Sequence, residues 1–304
     1  MRNPIIFFLR RIRWINLLLV AFTVVICQNY IVSPALTTRG ATALATGMNQ
    51  LLLVLSILGI MAGGYLINDF YDAIEDGINK RDNFYQRFGK IKTLTTYVIL
   101  SMAGLIMGLW LALRLENIKL WNIHLLSVLL LYWYSRSLKG LPMAGNLLVA
   151  ALSASIPLIP LLVESGNLWT SFGTDFILVN FLALYAFIIT LTREIVKDLE
   201  DVEGDQLGQK MTLPLLVGEK ASKSLLSVLF ICLISLLIAM LLMFSKASLP
   251  LLYITAFLIS PSLWLFYKMR KAHVSSEFHF ISSGLKMLML IGILFVPFHY
   301  YLNV

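Results

Sequence analysis

The chain has 304 residues, of which 59% are hydrophobic and only 13% charged, and a formal net charge of +8. Soluble proteins carry about 45–50% apolar and about 25% charged residues, so a soluble fold of this size has too little interior for so many apolar side chains. The same excess excludes disorder. The two cysteines, Cys27 and Cys232, lie far apart within apolar runs, which excludes a disulfide scaffold and a cysteine-built zinc site. The composition is that of an integral membrane protein.

A helix needs about 20 predominantly apolar residues to cross the hydrocarbon core. Nine stretches are predicted to do so, roughly 15–34, 43–67, 93–113, 119–134, 144–163, 172–191, 224–244, 249–267 and 282–302. They are continuously apolar, without the alternation of a membrane β-barrel. The first runs from Ile15 past Tyr30, longer than the apolar part of a cleaved signal peptide, and is expected as a retained span. The fourth and sixth have the shortest uncharged windows, bounded by Lys119 and Arg136 and by Asp175 and Arg193. The expected fold is all-α: one polytopic membrane domain over residues 1–304.

Of the 24 lysines and arginines, 19 precede the first span or follow the second, fourth, sixth and eighth. The excess of basic residues on the cytoplasmic side of membrane proteins then predicts a cytoplasmic N-terminus and an outer C-terminus. The positive charge therefore describes topology, and nucleic acid is not an expected partner.

Twelve of the 16 acidic residues fall in two of these cytoplasmic loops. Asp69, Asp72 and Asp76 have the same spacing as Asp198, Asp201 and Asp205, 129 residues later. Four spans separate the two sets, so both have the same orientation. This predicts two parallel four-helix repeats, about 10–140 and 141–270, with a ninth helix at about 282–302.

On a helix, positions i, i+3 and i+7 fall within an arc of about 60°. Each set is thus expected as a carboxylate stripe continuing the preceding span. Three like charges on one face repel unless something positive lies among them. Mg²⁺ suits such sites, because it takes carboxylates, waters and substrate phosphates rather than a complete protein cage. Two facing stripes offer ligands for two or three Mg²⁺ around a diphosphate. Lys80 and Arg81 after the first stripe, and Arg193 and Lys197 before the second, are placed to neutralise diphosphate oxygens. The loop between the repeats adds Tyr132, Tyr134 and Lys139, and tyrosine faces can stabilise a neighbouring cation.

These residues resemble the UbiA superfamily of intramembrane prenyltransferases over nearly the whole chain. Asn68-Asp69-Phe70-Tyr71-Asp72-Ala73-Ile74-Glu75-Asp76 matches its first motif, NDxxDxxxD. The run from Arg193 to Asp205, followed by Thr212-Leu213-Pro214, is similar to the second aspartate motif. Tyr134-Ser135, Leu138-Lys139, Pro142 and Gly145-Asn146 resemble the middle Tyr/Lys motif, and Arg13-Trp14-Ile15-Asn16 a stretch that contributes an asparagine to the cavity. One departure stands out: where many members have Asn-Lys-Pro-x-Arg-Pro, this chain has Asn79-Lys80-Arg81-Asp82-Asn83-Phe84, so Asn83 replaces the usual arginine.

The resemblance implies transfer of a prenyl group from an allylic diphosphate to a lipophilic acceptor, in a cavity open to lipid, at the cytoplasmic membrane of a bacterium or archaeon. It implies Mg²⁺ as cofactor, held by Asn68, Asp69, Asp72, Asp76, Asp198, Asp201 and Asp205. Of these, Asp72, Asp201, Asp69 and Asp198 are expected to be essential. Lys80, Arg81, Lys139, Arg193 and Lys197 would contact diphosphate, and Asn16, Tyr132 and Tyr134 would line the cavity. The second motif looks most like that of enzymes acting on geranylgeranylglyceryl phosphate or homogentisate-type acceptors. Two other readings fit less well. A CDP-alcohol phosphotransferase requires a DGxxAR segment, but Asp76-Gly77 is followed by Ile78-Asn79-Lys80-Arg81. A cation transporter would place acids near mid-span on broken helices, and here they sit at span ends.

Overall fold

A computed structural model describes residues 4–78, 82–164, 174–244 and 248–303, and among these there is no strand. The helices in chain order are α1 (Pro4–Arg11), α2 (Trp14–Cys27), α3 (Ser33–Thr37), α4 (Gly47–Tyr71), α5 (Ala73–Ile78), α6 (Phe84–Arg114), α7 (Ile118–Arg136), α8 (Ala144–Ser155), α9 (Ile159–Val163), α10 (Thr174–Glu200), α11 (Val202–Leu207), α12 (Leu213–Phe244), α13 (Ser248–Tyr253), α14 (Ser260–Lys271) and α15 (Ser275–Asn303). Among the described residues eight segments are long and apolar enough to cross a bilayer: Trp14–Thr37, Gly47–Tyr71, Phe84–Arg114, Ala144–Val163, Ile177–Glu200, Leu213–Met243, Ser248–Lys271 and Ser275–Leu302. The remaining predicted span is the 19-residue α7; Lys119, Asn122, His124 and Ser127 make it the more polar helix.

Several spans are composite. One π-helical turn, Gln28–Val32, joins α2 to α3, and another, Ile254–Ile259, joins α13 to α14. A 3₁₀ turn, Ile156–Leu158, connects α8 to α9 beside Pro157 and Pro160, where the missing proline N–H groups interrupt the helical ladder.

The chain divides into two compact units. The first comprises α1–α7 with α9, and the second α8 with α10–α15. The chain passes from the first unit to the second between Lys139 and Gly140; α9 lies with the first unit, and the last helix with the second.

Within the first unit, α4 packs against α6 and α7. Lipid gives helices no hydrophobic reason to associate, so close packing of small residues has to supply the attraction. Here a Cβ on Gly104 would lie 2.7 Å from the Ser56 carbonyl oxygen, and one on Gly63 would lie 2.3 Å from Ser101 Oγ. Ser56 Oγ lies 2.8 Å from His124 Nε2, and His124 Nδ1 lies 2.8 Å from the Leu120 carbonyl oxygen. His124 is therefore a packing residue, held between α4 and its own helix. Glu164, buried just past α9, accepts from Gln28 Nε2 (2.9 Å) and from the backbone N–H groups of Leu44 (2.8 Å) and Ala45 (2.9 Å).

In the second unit α10 packs against α8, α12 and α15. Tyr185 donates to the Leu288 carbonyl at 2.7 Å, and its ring lies against Gly292. Each unit thus encloses one long helix, α4 or α10, whose end carries an aspartate motif.

Candidate active site

In the first unit the helix does not run unbroken through the motif. It ends at Tyr71, Asp72 adopts φ −86°, ψ 2°, and α5 begins at Ala73. The hydrogen-bond ladder nevertheless continues across the break, from Asp72 N–H to the Asn68 carbonyl and from Asp76 N–H to the Asp72 carbonyl, both at 2.9 Å. This corrects the expectation of a carboxylate stripe on one continuous helical face. Turning the chain at the central aspartate aims the three carboxylates at different partners, which relieves their mutual repulsion.

Asp69 is 1% exposed. Arg11 grips it with two N–H groups, Nε to Oδ2 at 2.6 Å and Nη2 to Oδ1, and Phe84 N–H adds a bond to Oδ2 at 3.1 Å. Asp72 accepts from Asn68 Nδ2 and pairs with Lys139 Nζ, and the same ammonium lies 3.4 Å from Asn68 Oδ1. Asp76 accepts from Asn83 Nδ2 at 2.6 Å and lies 3.8 Å from Arg11 Nη2. Burial raises the Asp76 carboxyl above the ordinary aspartate range; Asn83 and Arg11 oppose the shift, while the Asp72 and Asp69 charges add to it.

Asn83 has a clear local role. Its side-chain oxygen caps α6 by accepting from Tyr85 N–H at 2.8 Å, and its amide also donates to the Asp69 carbonyl at 2.9 Å. The position of the usual arginine thus carries a residue that ties the aspartate loop to the next helix. Lys80 and Arg81 lie outside the described residues. Tyr132 Oη is 3.3 Å from Tyr71 Oη, with the two rings edge to face, and Tyr134 is half-buried on the same helix as Tyr132. Asn16 donates to Tyr65 Oη at 3.2 Å.

The second unit repeats the backbone with other side chains. Helix α10 ends at Glu200, Asp201 adopts φ −105°, ψ 10°, and the N–H groups of Asp201 and Asp205 bond at 2.9 Å to the carbonyls of Lys197 and Asp201. Asp198 accepts from Asn146 Nδ2 at 2.6 Å. Lys210 Nζ lies 4.0 Å from Asp205 Oδ1. Arg193 and Lys197 both pair with Glu194, at 2.9 and 3.0 Å. Glu200 takes His279 Nδ1 at 2.9 Å and the Ser282 hydroxyl at 3.3 Å, which fastens this loop to α15.

Both loops offer hard oxygen donors. Among the described residues no three His, Cys, Asp or Glu side chains converge to hold an ion. Carboxylate and amide oxygens of this kind are the donors a hard cation such as Mg²⁺ takes, one or two carboxylates together with waters and substrate phosphates.

Residues 30–290 match the UbiA prenyltransferase family. The chain belongs to that family. Among its relatives, the digeranylgeranylglyceryl phosphate synthase of Sulfurisphaera tokodaii is 37% identical over 173 residues, 56% of this chain and 58% of that protein. That of Methanothrix thermoacetophila is 34% identical over 190 residues, 62% and 67% of the two chains. The chain thus spans a little over half the length of the first of these relatives. Two solved structures share the fold of this UbiA family member. A digeranylgeranylglyceryl phosphate synthase superposes with a TM-score of 0.67 at 24% identity, covering 97% of this chain and 98% of that one. A UbiA homolog from Archaeoglobus fulgidus bound to DMAPP and Mg²⁺ superposes with a TM-score of 0.63 at 15% identity, covering 95% and 99%.

Three contributors escaped the sequence reading of site residues. Arg11 counted only as one of several basic residues before the first span, and no periodicity singles it out. Asn83 registered as a missing arginine. Asn146 had a usable signal, its place in the stretch that resembles the middle Tyr/Lys motif.

Proposed function

We propose that this UbiA family member transfers a prenyl group from an allylic diphosphate to a lipophilic acceptor and releases diphosphate, with geranylgeranylglyceryl phosphate as the acceptor of first choice. The C–O bond between the allylic carbon and diphosphate breaks, the allylic carbon bonds to an acceptor oxygen, and the acceptor proton is lost. The observation that carries this reading is Lys139 meeting Asn68 and Asp72, which places a cation and two oxygen donors at the head of a membrane-buried helix.

Asp72 and Asp76 from one loop, with Asn68, and Asp198, Asp201 and Asp205 from the other would hold Mg²⁺. Bound there, Mg²⁺ would neutralise the diphosphate as a Lewis acid. Lys139 would exchange Asp72 for a phosphate oxygen, and Arg193 and Lys197 would do the same from Glu194, so that cations already ordered by carboxylates meet the departing charge. Tyr71 and Tyr132, whose rings meet edge to face, would offer aromatic surface to a developing allylic cation. Apolar helices around such a site keep out the water that would quench that cation. The acceptor preference rests on the names of the matched relatives and on the second aspartate motif. The cytoplasmic placement of both loops rests on the distribution of basic residues.

The test incubates the purified protein with Mg²⁺, labelled geranylgeranyl diphosphate and a panel of glyceryl-phosphate and aromatic acceptors. A labelled ether product with the glyceryl phosphate is expected. Product with an aromatic acceptor alone would refute the acceptor choice, and no product with any acceptor would refute the transferase reading.

A further inference from the structure

Two of the six motif aspartates occupy corresponding positions yet meet different neighbours. Asp198 faces the neutral amide of Asn146, whereas Asp69 faces a guanidinium from the N-terminal helix. We propose that Arg11 is a positioning residue for the first aspartate loop, and that Asp69 serves as its anchor rather than as a metal ligand. This deepens the proposed function and, for its metal arm, rests on it.

Three donors already occupy the Asp69 carboxylate: two guanidinium N–H groups in parallel and the Phe84 amide. The two-pronged pairing of arginine with carboxylate is the strongest geometry available to either partner. A divalent ion on these oxygens would have to displace the guanidinium, leaving a charge with a 19% exposed side chain beside a buried loop. Breaking such a pair costs more than making it gains.

The same guanidinium bonds the Asp82 carbonyl and approaches Asp76, so one side chain joins three points of the loop. Its helix is itself fixed. Phe7 stacks on Phe84 at 6.4 Å and meets Phe88 edge-on at 5.8 Å, and the Arg87 guanidinium lies 4.3 Å over the Phe7 ring. Phe7, Ile12 and Leu17 form one apolar cluster with Ala62 and Leu66 of α4 and Phe84 of α6. Helix α1 therefore delivers Arg11 from a rigid mount. Of the three motif aspartates of this loop, Asp72 and Asp76 remain to turn to metal.

The experiment loads purified protein with Mn²⁺ and inorganic pyrophosphate and counts bound Mn²⁺ by electron paramagnetic resonance. Arg11→Ala, Asp69→Asn, their double variant and Asp72→Asn are compared with the parent. Asp69→Asn and Arg11→Ala should keep the parent Mn²⁺ stoichiometry while weakening affinity about tenfold, as loss of an outer support does. The double variant should be no worse than either single, and Asp72→Asn should lose bound Mn²⁺. Loss of stoichiometry in Asp69→Asn equal to that in Asp72→Asn would overturn the inference.

Thermal unfolding of the parent, Arg11→Ala, Asp69→Asn and their double variant without metal gives a second, independent readout. Shifts from Arg11→Ala and Asp69→Asn that fail to add support the anchor, and additive shifts overturn it. If the parent binds no Mn²⁺, the metal reading under the proposed function fails while this unfolding cycle still decides the anchor. If Arg11→Ala cannot be isolated, Arg11→Lys keeps the charge without the fork; an unfolding temperature equal to the parent's would overturn the inference.

Discussion

The two aspartate loops share a backbone and differ in what surrounds it. In both, the long helix breaks at the central aspartate, Asp72 or Asp201, and a short helix follows. In both, the next helix then turns at a glycine 129 residues from its counterpart, Gly89 with φ 79°, ψ 172° and Gly218 with φ 80°, ψ 167°. A buried hydroxyl four residues on, Thr93 or Ser222, bonds the glycine carbonyl at 2.9 Å in each case. The side chains diverge. The first loop is gripped by Arg11 and Lys139 on its aspartates, while the second holds Arg193 and Lys197 on Glu194, one turn before its own, with Lys210 4.0 Å from Asp205. Backbone turns are set by local geometry that a repeat can copy. Charge placement depends on which element packs nearby, and α1 serves one loop as α15 serves the other.

If both loops serve the reaction, Asp72→Ala and Asp201→Ala should each reduce transfer below detection while the purified protein retains its helical circular dichroism. Full activity in either would reduce the pair to one working loop. Lys139→Met should lower kcat by about 10²- to 10³-fold, the effect of removing one donor to a developing anion. A change confined to KM would show that Lys139 only binds substrate.

The shared glycine turns predict equal damage. Alanine at Gly89 or Gly218 meets nothing within 4 Å, so the cost is purely conformational. It should be about 1–3 kcal/mol at each site, read as matching drops in thermal unfolding temperature. Unequal drops would break the equivalence of the repeats.

The smallest effect should be the most unequal. Asn83 and Thr212 both precede their helices, but Asn83 makes the cap and two loop bonds, whereas the buried Thr212 hydroxyl meets no hydrogen-bond partner among the described residues. Asn83→Ala should cost about 1 kcal/mol or more. Thr212→Val should be neutral or slightly stabilising, since it removes a buried polar group without a hydrogen bond to the described residues. Unfolding temperatures of the two variants check both.

Much of this was legible in the residues. Uninterrupted apolar runs require helices in lipid, because no other open structure satisfies its own backbone there. Identical spacing of Asp69, Asp72, Asp76 and Asp198, Asp201, Asp205 suggested two related segments, whose backbones break at the same aspartate, and Lys139, grouped with the motif as a diphosphate contact, lies beside Asp72. Less legible was the break at Asp72 and Asp201, since a helical wheel assumes the helix continues. Arg11 was invisible as a partner of Asp69 because 58 residues separate them, and nothing in a basic N-terminal stretch distinguishes an anchor from an ordinary positive flank. Asn83 looked like a loss until its four hydrogen bonds were seen.

The sequence by itself determined the solvent in which this chain folds, the family to which it belongs and the oxygen chemistry of its two motifs, because hydropathy and residue spacing act over a few turns of helix. Only the tertiary structure decided which cation meets which carboxylate, that α9 packs with the first unit, and that Asp69 is engaged while Asp198 faces an amide. Those outcomes depend on contacts between segments tens of residues apart, whose energies arise only once the helices have packed.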